Sequence, residues 1–187
     1  MQFDHIEFKK LFGFIRQHPE IPHKQNDKEV FAPFQELYLQ LVKTVSDIPG
    51  WYAWSKSPRD SEKPVIYIGQ SQTRNTSSLR ARLKEEFLDE YVALWATVHG
   101  DKSVQILIKK YPQYRTDILR SARKAGSTHI VWFGETGITD DQLNFVEHKL
   151  IVIVKPPANK RKPKYVGEYP SLLENAHSTL KQALTKI

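Results

Sequence analysis

The sequence predicts an α+β fold, a small antiparallel sheet of three strands flanked by helices. Three segments, Trp51-Tyr52-Ala53-Trp54, Val65-Ile66-Tyr67-Ile68 and His129-Ile130-Val131-Trp132-Phe133, are short, aromatic and β-branched, as half-buried strands are. Around them apolar residues recur every three or four positions, the spacing of one helical face. At 187 residues the chain has the size of one ordinary domain, so further segments are expected to decorate a single unit.

Asp4 with Glu7 three residues on forms a possible helix cap, and Phe8, Leu11, Phe12 and Ile15 then share a face until Pro19. A polar stretch leads to Pro33, which can open a second helix carrying Phe34, Leu37, Tyr38, Leu41 and Val45 and ending before Pro49. Residues 1–48 are therefore expected to be a helical extension. The first two strand segments, separated by the turn-rich Lys56 to Lys63, form a hairpin. Ser77 or Ser78 caps a helix through Leu79, Leu83, Phe87 and Tyr91. Two more helices follow, from Ser103 to Tyr111 and from Tyr114 to Ala125, closed by Gly126. After the third strand, Thr139 and Gln142 make a capping-box pattern ahead of Leu143, Val146, Leu150 and Val154, and Pro156 and Pro157 stop that helix. Ser171 with Glu174 starts a last helix over 171–187. The expected organisation is an extension (1–48), a core domain (49–170) with a helical insertion at 88–126, and the C-terminal helix.

Composition narrows the chemistry. Without cysteine, disulfides, thiolate metal sites and a cysteine nucleophile are excluded, and any metal must be held by oxygen or imidazole. No apolar run reaches the length of a membrane span and nothing resembles a secretory leader, so a cytoplasmic protein without a membrane partner is expected. The net charge of +7 favours a polyanionic partner. From Lys155 to Lys164 five basic residues occur without an acid.

Four short motifs along the chain carry a family resemblance. Gly50-Trp51-Tyr52 and Tyr67-Ile68-Gly69 lie on the hairpin. Leu79-Arg80-Ala81-Arg82-Leu83 follows on a helix. Later come Glu147-His148-Lys149-Leu150-Ile151, then Pro156 and Asn159. These four elements, in this order, resemble the GIY-YIG nuclease superfamily over roughly residues 49–160, with tryptophan in place of the isoleucine of the first motif. The resemblance implies a DNA endonuclease dependent on Mg²⁺ or Mn²⁺, with Tyr52, Tyr67, Arg82, Glu147 and Asn159 as its site.

Glu147 would hold the metal, because a hard cation binds carboxylate oxygen and keeps several waters. Arg82 would offer its guanidinium fork to the phosphoryl oxygens. Tyr67 is the candidate base for the attacking water and Tyr52 its orienting partner. Asn159 would bond a phosphate oxygen. A phenol starts near a pKa of about 10 and needs nearby positive charge to act near neutrality. Relatives often have a lysine shortly after the second motif. Positions 70 to 83 here hold only Arg74, Arg80 and Arg82 as basic residues, so the group that activates Tyr67 is left open.

Arg74, Arg80, Lys160, Arg161, Lys162 and Lys164 are candidate DNA contacts, as are Lys109, Lys110, Arg115, Arg120, Arg123 and Lys124 in the insertion. Glu86, four residues after Arg82, fits a helix ion pair. His148 lies about 100° around a helix from Glu147 and is left out of the metal site.

Two other readings compete. Glu147 and Lys149 could form the E-x-K strand of a PD-(D/E)xK nuclease with Asp140 or Asp117, or the chain could be a noncatalytic nucleic-acid-binding module. Restriction-like or phage-defence cleavage fits a chain with helical additions alone. Monomer and homodimer are both open.

Overall fold

The computed structural model describes residues 1–23, 27–72, 77–160 and 167–187. Its sheet has four antiparallel strands. The hairpin pairs β2 (Gly50–Ser55) with β3 (Val65–Gln70), β4 (His129–Gly134) lies on the other side of β2, and β1 (Gln2–Glu7) completes the order β1-β4-β2-β3.

β1 corrects the expectation of a helix over these residues. Asp4 caps nothing; its carboxylate accepts from the adjacent His5 backbone N–H, and Asp4 pairs with Trp132 across the ladder. The outer edge of β4 presents unpaired backbone groups, and six residues paired along it satisfy more of them than a capped turn would. The predicted apolar face survives just beyond. Helix α1 (Lys9–Arg16) buries Leu11, Phe12 and Ile15, and Phe8 N–H donates to Thr128 O at 3.0 Å. Residues 1–48 are thus a strand and two helices built into the sheet and its cover, not a helical extension.

In α2 (Lys28–Val42) Pro33 sits inside the helix rather than opening it, while Phe31, Phe34, Tyr38 and Val42 face inward. Helix α3 (Leu79–Asp89) begins at Ser78, whose hydroxyl accepts from Ala81 N–H at 3.3 Å. Tyr91 does not extend it but opens α4 (Tyr91–His99), which has six consecutive buried residues from Tyr91 to Ala96 and no polar face. An all-round apolar helix must be enclosed by others. Helices α5 (Asp101–Lys110) and α6 (Arg115–Ala122) enclose it, joined by a 3₁₀ turn at Pro112–Tyr114. After β4, α7 (Asp140–Val154) starts with the anticipated capping box, in which Thr139 and Gln142 bond reciprocally. Helix α8 (Pro170–Thr185) starts on Pro170, and no side-chain cap from Ser171 is formed.

Period-2 alternation sends the two faces of the central strand to two cores. Tyr52, Trp54, Ile130 and Trp132 face a layer built by α1–α6. Trp51, Ala53, Val131 and Phe133 face α7 and α8. Trp51 also donates its indole N–H to Leu143 O at 3.0 Å, a bond isoleucine could not make. The insertion therefore fills a core layer instead of decorating the domain. Among the described residues no helix is long and apolar enough to cross a membrane.

Gly69 shows how tightly the hairpin is packed: a Cβ there would lie 2.5 Å from the phenol carbon and oxygen of Tyr52. Gly69→Ala should lower the unfolding free energy by roughly 1–3 kcal/mol, the scale of core overpacking. Urea denaturation followed by tryptophan fluorescence measures it, and an unchanged midpoint would show that the Tyr52 ring moves aside at no cost.

Candidate active site

Register places the first cluster. Tyr52 faces Gly69 and Trp54 faces Tyr67 across the hairpin, so both tyrosines and Trp54 project to the helical side of the sheet. There they meet Glu86 of α3, which is 0% exposed. Its Oε2 accepts from Tyr52 OH at 2.8 Å and from Arg82 Nη2 at 2.5 Å. Its Oε1 accepts from Trp54 Nε1 at 3.0 Å and from the Lys124 ammonium. Burial alone raises the pKa of this carboxyl, but Lys124 and Arg82 outweigh it and hold the group below its ordinary value. Glu86 is an anion. Tyr52, fully buried and beside that anion, is held well above the usual phenol range and stays a neutral donor.

The second cluster is an open groove of about 520 Å³. It is lined by Tyr67, Glu147, Asn159 and Lys160. Thr116, Arg120 and Arg123 also line it and share a face of α6 at i, i+4 and i+7 spacing. Glu147 is raised from its ordinary 4.5 to about 7, first by burial, with Arg82 opposing and Glu86 assisting. Tyr67 is raised above the ordinary phenol value by burial and then by Glu86 and Glu147, with Arg82 again opposing. Its hydroxyl bonds to no other described residue. Its ring face carries the Lys124 ammonium, 3.9 Å from the centroid.

The predicted residues divide accordingly. Tyr67, Glu147 and Asn159 meet at the groove. Arg82 does not line the groove; half-buried on α3, it is held by Glu86 and, through its second nitrogen, by Glu85 at 3.3 Å, and its charge still acts on Glu147. Tyr52 lies behind, committed to Glu86. Asn159 has both ends of its amide on the Ile68 backbone, accepting from Ile68 N–H and donating to Ile68 O, each at 2.9 Å. It completes the free edge of β3, beside Ala158 N–H bonded to Ile66 O. Its observed bonds are to the sheet.

Among the expected DNA contacts, Lys160 lines the groove, Arg80 donates Nε to Val45 O at 2.8 Å, and Arg74, Arg161, Lys162 and Lys164 lie outside the described residues. Lys109, Lys110 and Arg115 are exposed on the insertion, but Lys124 is 4% exposed and cannot reach a phosphate. The E-x-K alternative fails on local structure. Residues 140–154 form a helix, and Lys149 lies over the Phe145 ring, 5.5 Å from its centroid. Asp140 sits in the first turn of that helix, and Asp117 is an exposed partner of Arg120. His148 does not line the groove.

Two residues gained importance only in three dimensions. Glu86 was visible as a partner of Arg82 at i+4, but nothing local marked it as buried. Lys124 lies 38 positions from Glu86 and looked like one more surface cation.

No group of three or more histidine, aspartate or glutamate side chains that could hold a metal ion gathers among the described residues, and Glu147 is the one carboxylate lining the groove. That donor set suits Mg²⁺, which is commonly held by one or two carboxylates plus waters and substrate oxygens. Comparison of the chain with family models, curated proteins and solved structures gives no match.

The raised Glu147 carboxyl has a consequence for stability. Its folded pKa of about 7 exceeds the ordinary 4.5, so the folded state binds the proton more tightly between these values. Stability contributed by the neutral form is present below about pH 4.5 and is lost as pH rises through about 7. Glu147→Gln should therefore melt like the wild type at pH 4 and be more stable at pH 8 by roughly 3 kcal/mol, at about 1.4 kcal/mol per pKa unit. Calorimetry across that range, without divalent ions, tests it; a constant gap would show that Glu147 ionises freely.

Proposed function

We propose that this chain is a metal-dependent DNA endonuclease that hydrolyses a phosphodiester in the groove between Glu147 and α6, in a restriction-like or phage-defence setting. One observation carries the reading. Tyr67, Glu147 and Lys160, from separate segments, converge on a groove also lined by Arg120 and Arg123, and the charge of Arg82 acts on Glu147. A lone carboxylate among cations is the charge pattern expected for a bound phosphate and one divalent ion.

In this reading water attacks phosphorus, the P–O3′ bond breaks, and the products are a 5′-phosphate and a 3′-hydroxyl. Bound on Glu147, Mg²⁺ or Mn²⁺ would supply Lewis-acid polarisation of a phosphoryl oxygen and charge for the departing 3′ oxygen. Arg82, held by Glu85 and Glu86, offers a planar donor group for charge developing on the equatorial oxygens. Tyr67 is a neutral phenol in the free protein because burial and two carboxylates hold its proton. It can take the proton of the attacking water only as the phenolate, after its own proton has left to solvent through the open groove. Tyr52 supports the site through Glu86, and Asn159 fixes the Glu147 segment against β3. Arg120, Arg123 and Lys160 bind neighbouring phosphates, which provides affinity without sequence choice.

Incubating the protein with varied DNA substrates and Mg²⁺, read on gels, tests the activity. Glu147→Ala should abolish cleavage while retaining fold and most DNA affinity, and Tyr67→Phe should reduce single-turnover cleavage by roughly 10² to 10⁴. Full activity in Glu147→Ala would sink the assignment. Since a proton competes with the metal for Glu147, the Mg²⁺ concentration giving half-maximal rate should rise about tenfold per pH unit below about 7.

The basic wall has its own test. Neutralising Arg120 and Arg123 to glutamine should weaken binding to all DNA sequences alike. It should also flatten the slope of log affinity against log salt by roughly 1 to 2, about 0.9 for each phosphate left unneutralised. Binding isotherms at several salt concentrations that superimpose on the wild type would make α6 a bystander.

A further inference from the structure

A buried ammonium is costly unless it is matched in charge and hydrogen-bonded. Lys124, just past the end of α6, meets both conditions: it donates to Glu86 and lies 3.0 Å from Glu90 Oε1. With Arg82 on Glu86, two cations face the two buried carboxylates, and the more exposed Glu85 adds a third acid on Arg82. Such clusters seldom outdo well-packed apolar side chains in stability, and the surroundings here include Trp54, 5.4 Å from the Lys124 nitrogen, and other core aromatics. An apolar residue at position 124 would satisfy packing without two buried acids.

What the lysine adds is its approach to Tyr67. Its nitrogen sits over the face of the one ring that reaches the groove from β3. The preceding residue, Arg123, opens into that groove. Two consecutive residues at the end of α6 thus serve opposite directions, one facing substrate and one facing inward. Position 124 is also where the helical layer is tied to the sheet at the reacting side chain.

We propose that Lys124 is a positioning residue of the nuclease site: clamped by Glu86 and Glu90, it holds the Tyr67 ring in place at the groove and locks the 88–126 segment to it. This rests on the nuclease reading above. It makes that segment necessary for catalysis and not merely for binding DNA.

Removing Lys124 alone would leave excess negative charge buried, so the informative variant is Glu90→Gln with Lys124→Met, which deletes one charge of each sign. Its melting temperature should match or exceed the wild type. Single-turnover cleavage at saturating DNA should fall by about 10²-fold with DNA affinity unchanged, the scale of a small misplacement of a reacting group. The Tyr67 ring-flip rate, read by NMR on ring-labelled protein without DNA or metal, should rise by about tenfold or more once the desolvated cation–π interaction is removed. A folded double variant that cleaves at the wild-type rate overturns the proposal, as does one whose Tyr67 ring flips no faster. Wild-type protein that cleaves no DNA with Mg²⁺ or Mn²⁺ overturns the nuclease reading instead, and the ring-flip rate still decides whether Lys124 holds Tyr67.

Discussion

A carboxylate removed from water survives as an anion only where donors and opposite charge replace its hydration, and the architecture around the groove is arranged about one such group. Glu86 takes hydrogen bonds from β2 through Tyr52 and Trp54, from its own helix through Arg82, and from the end of α6 through Lys124. Strand, arginine helix and inserted helices therefore share one anion, and displacing any donor leaves buried charge uncompensated. Isolated surface ion pairs contribute little. This one is buried, and it holds the Arg82 guanidinium and the Tyr52 hydroxyl in place.

The same group explains an apparent conflict in the electrostatics. The phenols are held above their ordinary pKa although three cations, Arg82, Lys124 and Arg123, stand nearby. Burial is the largest influence on both phenols and the neighbouring carboxylates add to it, while Arg82, already paired with Glu85 and Glu86, opposes only in part. A groove kept this way is quiet in the free protein. Its basicity depends on what enters it.

The sequence made the hairpin, β4, the capping box of α7 and most helical faces legible, because each is specified locally by alternation, periodicity or a cap. β1 was not legible. Its residues carry a plausible helix cap, and the competing interaction, the open edge of a strand more than 120 residues later, leaves no mark in a local window. Helix α4 was absorbed into its neighbours because an apolar run with no polar face has no period to detect. Of the candidate site residues, Tyr67, Arg82 and Glu147 were picked out by the family resemblance of the motifs that contain them. Glu86 and Lys124 were visible as charges but not as buried ones, since burial is decided by layers that close around them from distant parts of the chain.

The spacing between Glu147 and Asn159 has a geometric reason. From Glu147 the helix runs two more turns to Val154, stops at Lys155 in the left-handed conformation with φ 53°, and turns through Pro156 and Pro157. A left-handed residue followed by proline is an efficient helix stop. Beyond it, Ala158 and Asn159 bond to Ile66 and Ile68 on the edge of β3. The residue between those two anchors is Tyr67. Fixing Asn159 against Ile68 therefore fixes where Glu147 stands relative to the Tyr67 ring. The length from glutamate to proline to asparagine is the distance needed for a helix to present a carboxylate opposite that phenol and still close the strand edge.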